Sequence, residues 1–326
     1  MASFSSELKR LRRGVFVAWF VNFLLLALTI LAAMLFVALP SNVTNEELLR
    51  YLLLYAGVAV VVAAVILSFV MLLSSSVVMG SVGGDHERVT SGQLYNIAEE
   101  MSIASGMKVP DVYIQHGTGV ANAYALSNRK GHARVVFTAE ILQTLDRSEV
   151  QAVMAHELSH VYTGDSVAMT RLIALTSTVG IIAGMSSRMF FGRRGGGGNN
   201  NNGKANPLAI VIIVLALIFL LVAPILSRVG NAFMSRKRES QADANAVRFT
   251  RNPTAMASAL AKIDGYSYQS GADNKKSAEK FYKTVGALAF FNPAKFAGAF
   301  ATHPPIGERV DALVKMGAAP PQAPGT

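Results

Sequence analysis

Cysteine is absent from the 326 residues of the chain. That excludes disulfides, thiolate metal sites and cysteine-nucleophile chemistry together, and it leaves the redox compartment open. Charge is scarce as well: Asp, Glu, Lys and Arg make up 15% of the chain, against about a quarter in soluble domains. The deficit is concentrated. No charged residue occurs across 14–39 or across 51–73, and each run exceeds the roughly 20 residues a helix needs to cross a bilayer. Asn22 is the one strongly polar side chain in these two runs. Transporters and channels place ionisable groups inside their spans, so this lack argues against both.

What is present in excess is positive charge, with a formal net of +10. The basic residues flank apolar runs: Lys9, Arg10, Arg12 and Arg13 before the first, then Arg188, Arg193 and Arg194, then Arg228, Arg236, Lys237 and Arg238. No aromatic interleaving or nucleic-acid motif accompanies them, so no nucleic-acid partner is expected. Basic residues in such positions orient spans and attract anionic lipid, which makes the bilayer the partner. The first run is too long for a cleaved signal peptide and a second follows at once, so it reads as a retained anchor. The positive-inside bias puts the N-terminus in the cytoplasm and the 40–50 loop outside, and returns 80–170 to the cytoplasmic side.

That cytoplasmic stretch reads as mixed α/β. Helical spacing runs over 91–107, and short strands rich in Val, Tyr and Phe are expected at 109–116, 122–127 and 133–139. "NRKG" (128–131) resembles a hairpin connection, and Asp146 with Glu149 forms an N-cap box for the next helix. Two further apolar runs follow, 172–187 and 208–226, separated by the low-complexity loop 192–207. Residues 230–315 read as helical with breaks at Pro253, Gly265 and Pro293, and the tail 317–326 as disordered.

"VMAHELSHVY" (153–162) carries the chemistry. Its His-x-x-x-His spacing sets His156 and His160 one turn apart on one helix face, where both reach a single tetrahedral Zn²⁺. Glu157 lies beside the first histidine, placed to take a proton from a water. Catalytic zinc sites use three protein ligands, so one is missing. Glu239 is a candidate, with Asp243 four residues on and able to hold a ligand imidazole from behind. By spacing alone, Glu239 reads equally as a solvated partner of Arg236 or Arg238.

"HELSHVYTGD", "SRKRESQADANAV" after an apolar hairpin, "THPPIGERVDAL" (302–313) and "NAYALS" (122–127) together resemble the HtpX-like integral-membrane zinc metalloproteases, which are related to the CAAX prenyl proteases. Tyr124 stands where that family usually has Phe. The resemblance implies one zinc per chain held by His156, His160 and Glu239, with Glu157 as the base and Asp243 behind a ligand. It also places Asn122 and His303 near the scissile carbonyl. The implied fold is an α-helical membrane protein with a mainly α cytoplasmic metalloprotease domain of gluzincin type and a small β-sheet. Two N-terminal spans would occupy 1–79, the catalytic domain 80–170 and 230–316, and a transmembrane hairpin 171–229.

Topology adds a constraint of its own. One metal cannot be liganded from two sides of a bilayer, so residues 161–238 cross it an even number of times if Glu239 is a ligand. Four spans are therefore expected, with 172–187 the weakest, because Arg188, Arg193, Arg194 and Lys204 would lie outside against the charge bias. At 1.5 Å per helical residue the zinc would stand about 15–20 Å above the hydrocarbon. An extended substrate pairing with the 122–127 strand would suit broad specificity. The expected function is hydrolysis of misfolded membrane proteins and other unfolded proteins in quality control and stress response. The enzyme would sit in a bacterial inner membrane, with the site and both termini cytoplasmic. A CAAX-type processing protease, which would need more spans, and a silent zinc-binding scaffold, which would lack Glu157, are the alternatives.

Overall fold

The structure is a computed structural model and describes residues 2–38, 44–129, 132–191, 236–269, 275–286, 288–291 and 304–321. The run 208–226, the loop 192–207, Pro293 and His303 lie outside the described residues.

The two charge-free runs are helices, α1 (Ala2–Ala38) and α2 (Asn45–Leu72). Thr44 caps α2 through a reciprocal box: its hydroxyl accepts from the Glu47 amide at 3.3 Å, and the Glu47 carboxylate accepts from the Thr44 amide at 2.9 Å. Among the described residues, these two helices are long and apolar enough to cross a membrane, yet only 28% and 22% of their most apolar stretches are buried. Phe16, Leu53 and Phe69 are among the large side chains left facing outward.

A short helix, α3 (Ser74–Val82), leads to the sheet. Gly84 makes that turn at φ +77, and a Cβ there would collide with the His116 carbonyl oxygen. The sheet comprises β1 (Asp85–Val89), β2 (Asp111–His116), β3 (Ala123–Arg129) and β4 (His132–Thr138), in the order β1-β2-β4-β3. The β2–β4 pair is parallel and the other two are antiparallel. The hairpin expected at 128–131 joins β3 to β4. The sequence reading missed β1, whose "DHERV" is mostly charged and half exposed. Such composition opposes a central strand but suits an edge, where Arg88 pairs with Asp111.

Both faces of the sheet are covered, and alternation along β3 assigns the sides. Ala123 and Ala125 belong to one core with Phe137, Met154 and Leu260, whereas Tyr124 and Leu126 belong to another with Leu67, Met169 and Phe281. The first core packs α4 (Gln93–Ser105), α6 (Arg147–Thr163), α8 (Arg236–Thr250) and α9 (Pro253–Gln269) on one face. The second packs α1, α2, α3, α7 (Asp165–Phe191) and α10 (Lys275–Val285) on the other. A short α5 (Ala139–Thr144) follows β4, and α11 (Ile306–Lys315) packs on α9.

Three expectations change. Gly265 does not break α9, which runs through it to Gln269, because Ile263 and Leu260 anchor that helix in the core. The first residues of the tail are docked rather than disordered: Ala318 is buried and the Ala319 amide donates to Thr254 at 3.0 Å. Finally, α6 and α7 are not collinear. Gly164 ends α6 in the left-handed region at φ 80, so the stretch from His160 to Arg171 is not the one straight helix that a reckoning at about 1.5 Å per residue assumes.

Candidate active site and metal centre

The expected capping box starts α6: Asp146 accepts from the Ser148 and Glu149 amides at 2.8 and 3.0 Å, and Glu149 accepts from the Asp146 amide at 2.8 Å. The helix is then buried over most of its length, from Val150 to Val161. Helical periodicity brings His156 and His160 together, with their Nε2 atoms 3.2 Å apart. Glu239 reaches them from α8, its two oxygens 3.8 Å from His156 Nε2 and 3.7 Å from His160 Nε2. Asn245 ties α8 to α6 by donating to Ser159 at 2.9 Å.

These three side chains are the group among the described residues that could hold a metal ion. Zinc bonds of about 2.0–2.1 Å in tetrahedral geometry place neighbouring donors about 3.3 Å apart, close to the observed 3.2, 3.7 and 3.8 Å. Charge gives a second test. Glu157, Asp165, Glu239 and Asp243 are buried carboxylates, and Arg238 and Arg309 are the buried guanidiniums beside them. With all four carboxylates ionised and both imidazoles neutral, as metal binding would require, the cluster is two positive charges short, which is the charge a divalent cation would supply. The residues fit the metal.

Each histidine is held from behind by a carboxylate. His156 Nδ1 lies 2.9 Å from Asp243 Oδ1 and His160 Nδ1 lies 3.3 Å from Asp165 Oδ2. Such partners set ring orientation and strengthen the ligand. Asp243 was expected from the sequence, whereas Asp165 was missed. Its signal was local: Thr163-Gly164-Asp165 is a helix stop followed by a helix start, and the Thr163 hydroxyl donates to Asp165 at 2.8 Å. Arg309 was missed too. It donates bidentately to Asp243 at 2.9 and 2.7 Å and to the Phe290 carbonyl at 3.0 Å. Nothing in the spacing of "GERVD" marked it as buried.

Burial pushes the His156 pKa down to about 4, partly offset by Asp243, so this imidazole has a free lone pair at neutral pH. Burial pushes Glu157 up to about 8, with Glu239 adding to the shift and His160 opposing it. At His160, burial would lower the value, but Asp165 and then Glu239 and Glu157 outweigh it and raise it to about 9. A cation between these groups inverts the last two pressures, favouring ionised Glu157 and neutral His160.

Asn122 lies at the start of β3, fully buried. Its amide nitrogen donates to the Phe291 carbonyl and toward the Tyr282 hydroxyl at 3.3 Å, and its oxygen accepts from the Phe291 amide at 3.2 Å. Phe290 in turn packs edge-on against His156 at 5.0 Å and lies under Arg309 at 5.1 Å. Both ends of the Asn122 amide are engaged here, so the residue ties the start of β3 to the 288–291 segment. The β3 edge is also partly used. The Phe290 amide donates to Ala123 O at 2.8 Å and the Ser127 amide donates to Thr170 at 3.0 Å. A substrate cannot pair along all of 122–127 without displacing these contacts. Between them, Ala125 lines a small cavity with Glu157, His160 and Asp165.

Every residue of this centre falls within 89–317, the stretch matched by the sequence profile of peptidase family M48. The chain belongs to peptidase family M48. This M48 chain is similar to two proteins described as protease HtpX homologs, from Streptococcus pneumoniae strains Hungary19A-6 and Taiwan19F-14. They are 34% and 33% identical over 277 residues, an alignment covering 82% of this chain and 89% of each relative. Comparison with solved structures gives the crystal structure of S. mikatae Ste24p at 18% identity and a TM-score of 0.40. That match covers 91% of this M48 chain and 63% of the Ste24p chain, so this chain spans less than two thirds of that protein.

Proposed function

We propose that this M48 chain is a membrane-embedded, zinc-dependent endopeptidase that cuts unfolded or damaged membrane proteins at the cytoplasmic face. The observation that carries the reading is the buried Glu157 carboxylate beside the His156, His160 and Glu239 set. When bound there, the metal supplies Lewis acidity, acidifying water and polarising a carbonyl. Glu157 takes the proton of the attacking water and hands it to the leaving amine. Asp243 and Asp165 hold the two imidazoles, Arg309 holds Asp243, and Asn122 holds the Phe290–Phe291 segment against both. His303 keeps the role that the family resemblance implies for it.

The membrane part of the proposal rests on the outward apolar surfaces of α1 and α2, with only 28% and 22% of their cores buried. A core helix of a soluble protein would be largely buried. Lys9, Arg10, Arg12 and Arg13 favour a cytoplasmic N-terminus. Thr163 and Gly164, at the end of the zinc helix, share a cavity wall with Arg12, Val15 and Phe16 at the start of the apolar run of α1. The site therefore stands close to the level where that apolar surface begins, within reach of membrane-proximal segments of a substrate.

The test uses the full-length chain purified in detergent, with zinc quantified, on an unfolded protein substrate. Chelation should abolish cleavage and zinc should restore it. Equal cleavage by chain shown to be metal-free would end this reading. Glu239→Ala should lower zinc affinity by more than the roughly 10–100-fold typical of losing an outer partner. Unchanged affinity would remove Glu239 from the ligand set. Asp165→Asn should weaken zinc binding by about 10–100-fold with helix content unchanged, as measured by competition with a chromogenic chelator.

A further inference from the structure

Away from the metal centre, a cavity of about 650 Å³ opens between the start of α1, the end of α2 and the α6–α7 turn. Arg12, Arg129 and Arg171 line it with Phe16, Trp19 and Met71, and no Asp or Glu belongs to its wall. None of the three arginines pairs with a carboxylate among the described residues. Arg129 approaches His132 at 2.8 Å, and Arg171 donates to the Asn128 carbonyl at 3.1 Å. Arg171 Nε is buried without a hydrogen-bond partner. Three guanidiniums gathered without a counter-charge repel one another, and a bound anion removes that cost.

The rest of the wall is apolar and aromatic. Phe16 stacks on Trp19 at 6.4 Å and Trp19 on Phe23 at 5.4 Å, continuing the surface along α1. Arg12 and Arg13 are the last charges before the apolar run begins at Gly14. The cavity thus straddles the change from basic to apolar surface, where on the membrane reading proposed above a headgroup meets its acyl chain. An adjoining cavity of about 630 Å³ shares Met71, Arg129 and Arg171 and adds Lys108 and Arg134. Its one acid, Asp111, is already paired with Arg88.

We infer that this cavity binds an anionic phospholipid, its phosphodiester held by Arg12, Arg129 and Arg171 and an acyl chain lying along Phe16 and Trp19. Guanidinium forks match phosphate oxygens bidentately, and the uncompensated charge selects a net-negative headgroup over a zwitterionic one. Thr163 and Gly164 complete the wall three and four residues after His160. The bound lipid braces the turn that holds Asp165 against His160.

Trp19 is the only tryptophan, so its fluorescence reports on this cavity. The full-length chain in neutral detergent is titrated with dioctanoyl phosphatidylglycerol, dioctanoyl phosphatidylcholine or inorganic phosphate. Phosphatidylglycerol should change Trp19 emission saturably, at concentrations about tenfold below those at which phosphatidylcholine acts. Arg12→Gln and Arg129→Gln alter exposed side chains outside the metal centre, and each should weaken that response about tenfold with circular dichroism unchanged. Equal responses to the two lipids, variants that bind like wild type, or phosphate alone matching phosphatidylglycerol would each overturn the inference. Alkaline extraction of the chain from membranes tests the underlying reading separately. Release into the soluble fraction defeats the membrane reading, whereas retention with a headgroup-insensitive Trp19 defeats this inference alone.

Discussion

Glu157→Gln is expected to reduce peptide hydrolysis by about 10²–10⁴-fold, the range for removing a positioned general base, while zinc content stays at the wild-type level. The substitution keeps the shape of the side chain and removes its ability to accept a proton. Glu157 is buried to 1% exposure, and that burial disfavours its ionised form. The neutral amide therefore relieves a desolvation cost instead of adding one. The thermal midpoint of the zinc-free variant should match or exceed that of the zinc-free wild type. This combination separates chemistry from folding: lost activity with lost zinc would indicate a ligand or a scaffold residue. Full activity with full zinc would show that the base lies elsewhere.

Arg309→Leu should have the largest effect on stability. The guanidinium is 3% exposed and joins α11 to α8 through Asp243, to the 288–291 segment through the Phe290 carbonyl, and to Glu239 Oε2 at 4.0 Å. Removing one partner of a buried pair leaves the other charge uncompensated, at a cost of about 3–5 kcal/mol. That should lower the melting midpoint by on the order of ten degrees. Asp243 then loses the partner that fixes it against His156, so zinc affinity should fall as well. Arg309→Lys keeps the charge and loses the bidentate fork, and should fall between the two. A midpoint within a degree of wild type for Arg309→Leu would show that the pair is not what joins these elements.

Much of the local structure was legible because it depends on neighbours in sequence. The charge-free runs, the Asp146–Glu149 box and the β3–β4 hairpin all rest on short-range patterns, and each formed where its residues predict. β1 was missed because its partner lies 22 or more residues away and its charged side chains suit only an edge. Gly265 misled for a related reason: core packing of Leu260 and Ile263 outweighs the modest helix penalty of one glycine, about 1 kcal/mol.

The candidate site divides along the same line. Sequence alone determined His156, Glu157 and His160 as one turn of chemistry, since the period of a helix fixes their common face wherever that helix lies. It proposed Glu239 and Asp243 as a pair for the same reason, without deciding whether they faced solvent or metal. Tertiary structure buries Glu239 beside both histidines by packing α8 on α6, although His160 and Glu239 lie 79 residues apart in the chain. It alone supplied Arg309 and Asp165 as partners and turned Asn122 inward to Phe291. It alone gathered Arg12, Arg129 and Arg171 around one cavity. Buried charges need partners, and no short-range rule names a partner that comes from a distant helix. Long-range packing selects it.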